Sequence, residues 1–224
     1  MLKQSAIHSE GFKQTPSPSH VAPKGLQATI DLMGIPMRFT RNAEIYGENE
    51  PADYLYKVVS GTVRTFKVRV DGHRQIGGFY LPGDIFGTQV GQEHAFSAEA
   101  ISDCQVLLIS RRSVMAIAAR NSAVARELWT LMGRELGRAQ DHLLLLIKSA
   151  QQRVASFLLE MAGQASAGNT IELPMTRQDI GDYLGLTMET VSRTFAHLEA
   201  TTTIEVHSRQ IVLRNRATLR QLNA

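Results

Sequence analysis

The stretch MTRQDIGDYLGLTMETVSRTFAHLEA, Met175–Ala200, decides how the rest of the chain is read. It divides into two short amphipathic segments around a tight turn. Thr176 opens the first, and Asp179 stands three residues on, the spacing of an N-cap whose partner reaches back to free backbone N–H groups. Ile180 and Leu184 give this segment an apolar face at i, i+4. Gly185 then supplies a turn that other residues resist. Thr187 is placed to cap a second helix, in which Val191, Phe195 and Leu198 form the buried stripe. Glu189, Ser192 and Arg193 share a different face through i+3 and i+4 spacings. The pattern is that of a helix-turn-helix, whose second helix lies in the major groove of DNA. The alternative is an ordinary helical hairpin with a solvated polar face.

The side chains on that polar face suit base reading. Arginine's planar fork donates two hydrogen bonds to O6 and N7 of guanine, and a carboxylate accepts from N4 of cytosine. Glu189 and Arg193 lie one turn apart, so an ion pair would hold both in position and read both members of a G·C pair. Ser192 is small enough to approach a thymine methyl or O4. The run LGLTMETVSR closely resembles the recognition segment of the CRP/FNR regulator family, in particular its FNR and FixK branches. In those branches a Glu-x-x-Ser-Arg constellation reads the half-site, and it stands here as Glu189, Ser192 and Arg193. The resemblance implies a TTGA-type half-site in a palindrome of the form TTGAT, four bases, ATCAA (TTGA-N6-TCAA). The CRP branch carries an arginine just before the glutamate. Met188 occupies that position here, which places the chain with FNR and FixK. Candidate phosphate contacts are Thr176, Arg177, Thr187, Thr190, His197 and Arg209, with Arg177 and Arg209 the two favoured.

The remainder of the chain sets bounds. Its 224 residues accommodate one large domain or two modest ones. Hydrophobic residues make up 43% and charged residues 20%, a globular balance. The net charge of +3 and the pI of about 9.2 agree with a nucleic-acid partner without demanding one. A single cysteine, Cys104, excludes an intramolecular disulfide framework and suits a reducing compartment. No apolar run approaches the roughly 20 residues of a membrane span, and the N-terminus lacks the order of a secretory signal, so a cytoplasmic protein without a membrane partner is expected.

Residues 1–24, with Pro16, Pro18 and Pro23 and no apolar period, read as a flexible arm. A short helix is expected over Leu26–Met33. From Arg38 to Ile109 the chain reads as short strands: Tyr54–Val59, Gly61–Val70, Gln75–Leu81, Ala98–Ala100 and Val106–Ile109. Asp71–Gly72 marks a hairpin. Many short strands at near-regular spacing predict a small β-barrel or jelly roll, closed to protect its edges. YLYKVVSGTVR, YLPGDIFG and the strand ending Cys104–Ile109 resemble the cyclic-nucleotide-binding fold over most of residues 26–112.

A short helix follows over Ser113–Ala119, then a long one from about Ala123 to Lys148. In the long helix Leu128, Met132, Leu136, Ala139, Leu143 and Leu146 recur at spacings of 3 or 4, a seam for a partner helix. The same seam also fits a core helix of a single subunit. In the family the corresponding helix forms a parallel coiled coil at a twofold axis, which implies a homodimer. Ser149–Gln151 reads as a hinge. Val154, Phe157, Leu158 and Met161 form a core face, Gln164–Asn169 a loop and Ile171–Leu173 a strand. Thr203–Val206 and Gln210–Leu213 form a hairpin around His207–Arg209, the wing of a winged helix, and residues 217–222 a terminal helix.

By spacing, the family's nucleotide-binding glutamate falls at Thr88, and its arginine and serine fall near His94 and Ala95. An anionic phosphate needs a cation and donors there, and neutral His94 with Ala95 is a poor substitute. An oxygen-labile iron–sulfur cluster needs about four thiolates, and Cys104 alone cannot supply them. In the alternating run CQVLLI, Cys104 reads as a small buried strand residue.

The fold expected is therefore α+β: a flexible arm at 1–24, a cyclic-nucleotide-binding-like β-barrel (jelly roll) at 25–122, a dimerisation helix at 123–149 and a winged helix-turn-helix at 150–224. By resemblance the chain is a FixK-type regulator with no cofactor and no metal. It binds double-stranded DNA as a homodimer, recruits RNA polymerase through loop residues near Phe86–Gln92, and controls microaerobic respiration, denitrification or nitrogen-fixation genes. The alternative is a haem- or redox-dependent gas-sensing regulator of the same family using the same DNA site. An enzyme with a barrel site, as in cupins, needs clustered metal ligands, and His73, Glu93 and His94 are scattered.

Overall fold

The computed structural model describes residues 25–89, 91–164 and 168–223, so the expected arm at 1–24 and part of the expected loop at 164–169 lie outside it. The first element among the described residues is α1 (Leu26–Met33), as expected from the sequence. Eight strands follow: β1 (Ile35–Phe39), β2 (Glu44–Tyr46), β3 (Tyr54–Ser60), β4 (Val63–Val68), β5 (Arg74–Tyr80), β6 (Ile85–Phe86), β7 (Ser97–Ala100) and β8 (Cys104–Ser110). They form two antiparallel four-stranded sheets, ordered β1-β8-β3-β6 and β2-β7-β4-β5. The closed barrel expected from strand spacing is thus a sandwich. The sheet edges do not pair with one another: β1 is exposed, β2 and β6 are short, and β5 packs against the C-terminal part of the chain. β1 and β6 flank one sheet, β2 and β5 the other, and β6 spans two residues. Short edges protect a sheet without closure.

Side chains from both sheets fill the interior. Tyr46, Tyr56, Val58, Val63, Phe86, Ala98, Ala100, Cys104 and Val106 form one cluster. The β4–β5 connection turns at Asp71–Gly72, where Gly72 adopts φ +81° and its N–H reaches the Arg69 carbonyl. On the outer face of the first sheet, α1, α2 (Arg111–Ala118) and the start of α3 (Ser122–Leu145) pack through Leu26, Ile30, Leu55, Ile85, Ile109, Val114 and Val124. Asn121 caps α3 by accepting from the Ala123 and Val124 N–H groups.

Helix α3 ends three residues earlier than expected, and α4 (Ala150–Gln164) follows a break at residues 146–149. Ser149 and Gln152 exchange hydrogen bonds there, a start signal for α4. Beyond it come β9 (Thr170–Glu172), α5 (Arg177–Leu184), α6 (Met188–Ala200), β10 (Ile204–His207), β11 (Gln210–Leu213) and α7 (Arg216–Asn223). β9, β10 and β11 make a small antiparallel sheet in the order β10-β11-β9. Val154, Phe157, Leu158, Ile180, Leu184, Val191, Phe195, Leu198, Ile204 and Ile211 form the core of this C-terminal part. That core runs without interruption into Ile76 and Phe79 of β5, and Phe79 lies 5.3 Å from the Tyr183 ring and 6.2 Å from the Phe157 ring.

Candidate nucleic-acid interface

The two helices expected around Gly185 form as α5 and α6. The Thr176 hydroxyl accepts from the Asp179 N–H, and Asp179 Oδ2 accepts from the Thr176 N–H at 2.9 Å, a complete capping box. Gly185 ends α5 in the left-handed region, φ +64°. Gly181 is a second requirement that the sequence reading passed over. A Cβ built on it would stand 2.6 Å from the Leu186 carbonyl oxygen, and the Leu186 N–H bonds to the Gly181 carbonyl at 3.0 Å. The turn therefore presses on α5 at a residue without a side chain. A glycine inside a helical pattern, four positions before the turn glycine, was the available signal.

Thr187 caps α6 by accepting from the Thr190 N–H at 3.2 Å. Val191, Thr194, Phe195 and Leu198 are buried beneath it. Glu189, Ser192, Arg193 and His197 all lie on its exposed side. The expected Glu189–Arg193 ion pair is absent among the described residues. Arg193 Nη2 donates instead to Thr190 Oγ1 at 3.4 Å. The Glu189 carboxylate takes its own backbone N–H and the Thr187 hydroxyl, which hold it below the usual carboxylate range. Free amides at a helix N-terminus attract a carboxylate more strongly than an exposed cation one turn away. Both base-reading candidates thus lie exposed at the surface and unpaired with each other.

The remaining candidates divide. Thr176 and Thr187 are exposed cap residues, and Thr190 is half-buried beside them. Arg209 is exposed at the tip of the β10–β11 wing, next to Ser208 at φ +57°. Arg177 is half-buried, with its guanidinium 3.5 Å from the centre of the Phe195 ring. It braces α5 against α6 as a cation on an aromatic face. Pro174, Thr176, Arg177, Ser208 and Arg209 line one shallow recess between the start of α5 and the wing.

A hinge contact was invisible in the sequence. Arg153 of α4 donates to the carbonyls of Leu146 and Lys148 at the end of α3, and to those of Leu184 and Gly185 at the end of α5. One guanidinium therefore satisfies the orphan carbonyls of two helix ends.

On α3, Leu136 and Leu143 are exposed in the single chain at 61% and 66%. Trp129, at 81%, extends the same stripe seven residues earlier. Leu128 instead packs against the subunit's own cluster with Leu26 and Ile30. Met132, Ala139, Leu143 and Leu146 of the seam also line a cavity of about 730 Å³ between α3 and the sandwich. Thr88, Gln89, Tyr46 and Tyr80 line its other side.

That cavity is a poor host for a phosphate. Arg138 is its one cation among the described residues, and it is already held by Asp84 at 3.1 Å and Glu135 at 3.4 Å. Burial pushes the carboxyl of Glu135, also in the lining, above the usual range, and Glu160 adds a second carboxyl. His94 is buried, stacked 3.6 Å from the Tyr46 ring, with its Nδ1 3.2 Å from Gln89 Oε1. Burial lowers its pKa first and the Arg111 charge second, which keeps it neutral. The Cys104 thiol is buried, donates within reach of the Thr62 and Ser102 carbonyls, and is pushed up by desolvation. It is a protonated core thiol, as the strand pattern indicated.

A sandwich joined by a long helix to a winged helix-turn-helix, with a charged face on the second helix, defines a DNA-binding transcription regulator. Residues 36–121 match the cyclic nucleotide-binding domain family and residues 152–222 the Crp-like helix-turn-helix domain family. The chain is 47% identical over 202 residues to the nitrogen fixation regulation protein FixK of Azorhizobium caulinodans, covering 87% of this chain and 82% of that protein. It is 40% identical over 157 residues to FixK of Rhizobium meliloti, covering 70% and 71%. The solved structure of FixK2 from Bradyrhizobium japonicum superposes with a TM-score of 0.83 at 48% identity, over 86% of this chain and 98% of that one. The chain belongs to the CRP/FNR family of transcription regulators and, within it, to the FixK type. It is a regulator and not an enzyme.

Proposed function

We propose that this regulator binds a TTGA-N6-TCAA palindrome as a symmetric homodimer and activates transcription there without a small-molecule co-effector. The observation that carries this reading is the exposed face of α6, where Glu189, Ser192 and Arg193 project together with Met188 beside them. Arg193 and Glu189 read the G·C pair, and Ser192 meets the adjoining thymine. Met188 offers no donor to a further guanine. Thr176, Thr187, Thr190, His197 and Arg209 meet the flanking phosphates, and Arg177 joins them at its outer edge.

The dimer forms along Trp129, Met132, Leu136, Ala139 and Leu143 of α3 and Leu146 at its C-cap. Three exposed apolar side chains on one heptad stripe support it, and α3 is about 36 Å long. Leu128 lies behind that seam and supports it from the core. The exposed Gly91–Gln92 segment, whose Gly91 carbonyl accepts from Arg111 at 3.2 Å, offers RNA polymerase a pinned loop. The residues divide functionally at 25–122, 123–149 and 150–224. The relatives' names, nitrogen fixation regulation protein and anaerobic regulatory protein, support target genes in nitrogen fixation and low-oxygen metabolism, and the work is cytoplasmic.

One observation favours the gas-sensing alternative. His142 lines the cavity with an unpartnered Nδ1, and burial keeps it neutral, as a haem ligand must be. Met132, a second ligand in kind in the same lining, lies ten residues away on the same helix, about 15 Å, too far to face it across one iron. Selection of bound duplexes from a random pool, with and without oxygen and with added cyclic AMP, separates the readings. Equal enrichment of the TTGA palindrome under all conditions supports co-effector-free binding. Enrichment confined to one gas condition, with a Soret band in the purified protein, supports the sensor.

A further inference from the structure

We propose that Arg64 and Arg74, on the β4–β5 hairpin of the sandwich, are positioning residues for DNA recognition: they fix the angle at which the reading head is presented. Four charged side chains from the two halves of the molecule meet at the start of α5. Arg64 Nη1 donates to Asp179 Oδ1 at 2.5 Å, and Arg74 Nη2 donates to the same oxygen at 2.7 Å. Arg74 Nε reaches Asp182 Oδ2 at 2.9 Å, and Gln75 Nε2 donates to the Asp182 carbonyl at 2.8 Å. Glu99 holds the second nitrogen of Arg64 at 2.9 Å. Both guanidinium groups also lie 5.9 Å from the Phe66 ring.

Asp179 serves two parts of the molecule at once. Its Oδ2 completes the capping box with Thr176, and its Oδ1 takes both arginines. The cap that folds α5 is therefore also the post to which the sandwich is tied. The carboxylate is 4% exposed and the Arg64 side chain 9%, so these pairs are little screened by solvent. Phe79 supplies the apolar half of the same seat against Tyr183. Together with Arg153 at the hinge, the ion pairs leave α5, and α6 with it, one orientation relative to the sandwich. In a dimer that orientation sets the separation of the two recognition helices. It thereby sets the spacing of half-sites the protein accepts, a second element of specificity beside base contact. Neither arginine touches DNA in this account.

The test rests on the palindrome reading above but is built to fail separately from it. Full-length protein is titrated with duplexes carrying spacers of six, five and seven base pairs. One base pair changes half-site separation by about 3.4 Å and relative rotation by about 34°. Wild type should prefer the six-base spacer. Arg74→Gln, which removes two partly buried charge-assisted pairs, should lower that preference at least about tenfold. Asp182→Asn, made from the opposite side of the contact, should act in the same direction. Arg74→Lys, which keeps the charge, should fall between wild type and Arg74→Gln. A loss of affinity equal for all three spacers marks a merely structural role and overturns the proposal. A readout without DNA runs beside it: amide hydrogen exchange at residues 146–149 and the first turn of α5 should quicken in Arg74→Gln while β3 and β8 stay unchanged. Unchanged exchange at the hinge overturns the proposal. Failure of the wild type to bind any TTGA duplex overturns the half-site assignment and leaves the exchange result to decide the positioning role.

Discussion

Gly181→Ala should destabilise the protein, against the ordinary trend for its position. Gly181 lies inside α5, and alanine in a helix interior is normally worth up to about 1 kcal/mol over glycine. Here the added Cβ would stand 2.6 Å from the Leu186 carbonyl oxygen and 3.5 Å from the Met188 nitrogen. The near neighbour is backbone, held by the Leu186–Gly181 hydrogen bond, so it cannot rotate away as a side chain does. Overpacking of this kind costs typically about 1–3 kcal/mol. At 2.6 Å against fixed backbone the cost falls in the upper part of that range, about 2–3 kcal/mol, so after a propensity gain of about 1 kcal/mol the net loss is about 1–2 kcal/mol. For a chain of this size that lowers the melting temperature by roughly 2–8 °C. Gly163→Ala is the control. Gly163 sits in α4 with nothing within 4 Å of its virtual Cβ, so the same substitution there should raise the melting temperature slightly. Calorimetry of both variants decides the matter. If Gly181→Ala melts at or above wild type, as Gly163→Ala should, the account of the turn is refuted. Because the clash opens the α5–α6 turn, DNA affinity should fall for all sequences alike.

Three further outcomes are expected. Arg193→Ala should lose about 1–3 kcal/mol of discrimination at the half-site guanine, read by competition between matched and guanine-substituted duplexes; undiminished selectivity would sink its assignment. Leu136→Glu with Leu143→Glu should give a folded monomer in sedimentation, because these exposed side chains meet no core of their own chain; a persistent dimer would place the interface elsewhere. Glu135→Gln should raise the melting temperature at about pH 7 and leave it unchanged near about pH 3. Burial raises the folded-state pKa of Glu135 above its unfolded value, so the folded state loses stability as pH rises through that window, and glutamine removes the loss. The Tyr80 hydroxyl, 3.4 Å from Glu135 Oε2, keeps an acceptor in the variant. An equal effect at both pH values would contradict this.

Much of this molecule was legible because its signals are local. Thr176, Asp179, Gly185 and Thr187 announce two helices through chemistry confined to a few residues, and the structure realises each bond. The period-2 pattern of β3 and β8 and the turn at Asp71–Gly72 were equally plain. β1 escaped as a strand because it is exposed along nearly its whole length and carries Pro36, so no alternation marks it. Closure of the sandwich into a barrel was inferred from strand spacing, which cannot distinguish paired edges from short ones. Trp129 was passed over for Leu128 because an apolar seam one residue out of phase reads the same over a few turns; Leu128 packs against the cluster of Leu26 and Ile30, whereas Trp129 is exposed in the single chain.

Long-range charge pairing left no trace in the sequence. Arg64 and Asp179 are 115 positions apart, and an arginine on a strand reads as surface until its partner is seen. The same holds for Arg153, whose four carbonyl acceptors come from two helix ends. Loss of the nucleotide-binding residues was visible at Thr88, His94 and Ala95. The acidic, already paired lining of the cavity, with Glu135, Glu160 and Arg138, was not.

The central claim is most directly tested by competition between a TTGAT-N4-ATCAA duplex and one in which the guanine–cytosine pair of each half-site is replaced by adenine–thymine. Each mismatch costs about 1–3 kcal/mol, so the two together should weaken binding by at least about 30-fold, with one dimer bound per duplex. Equal affinity for the two duplexes would contradict the account.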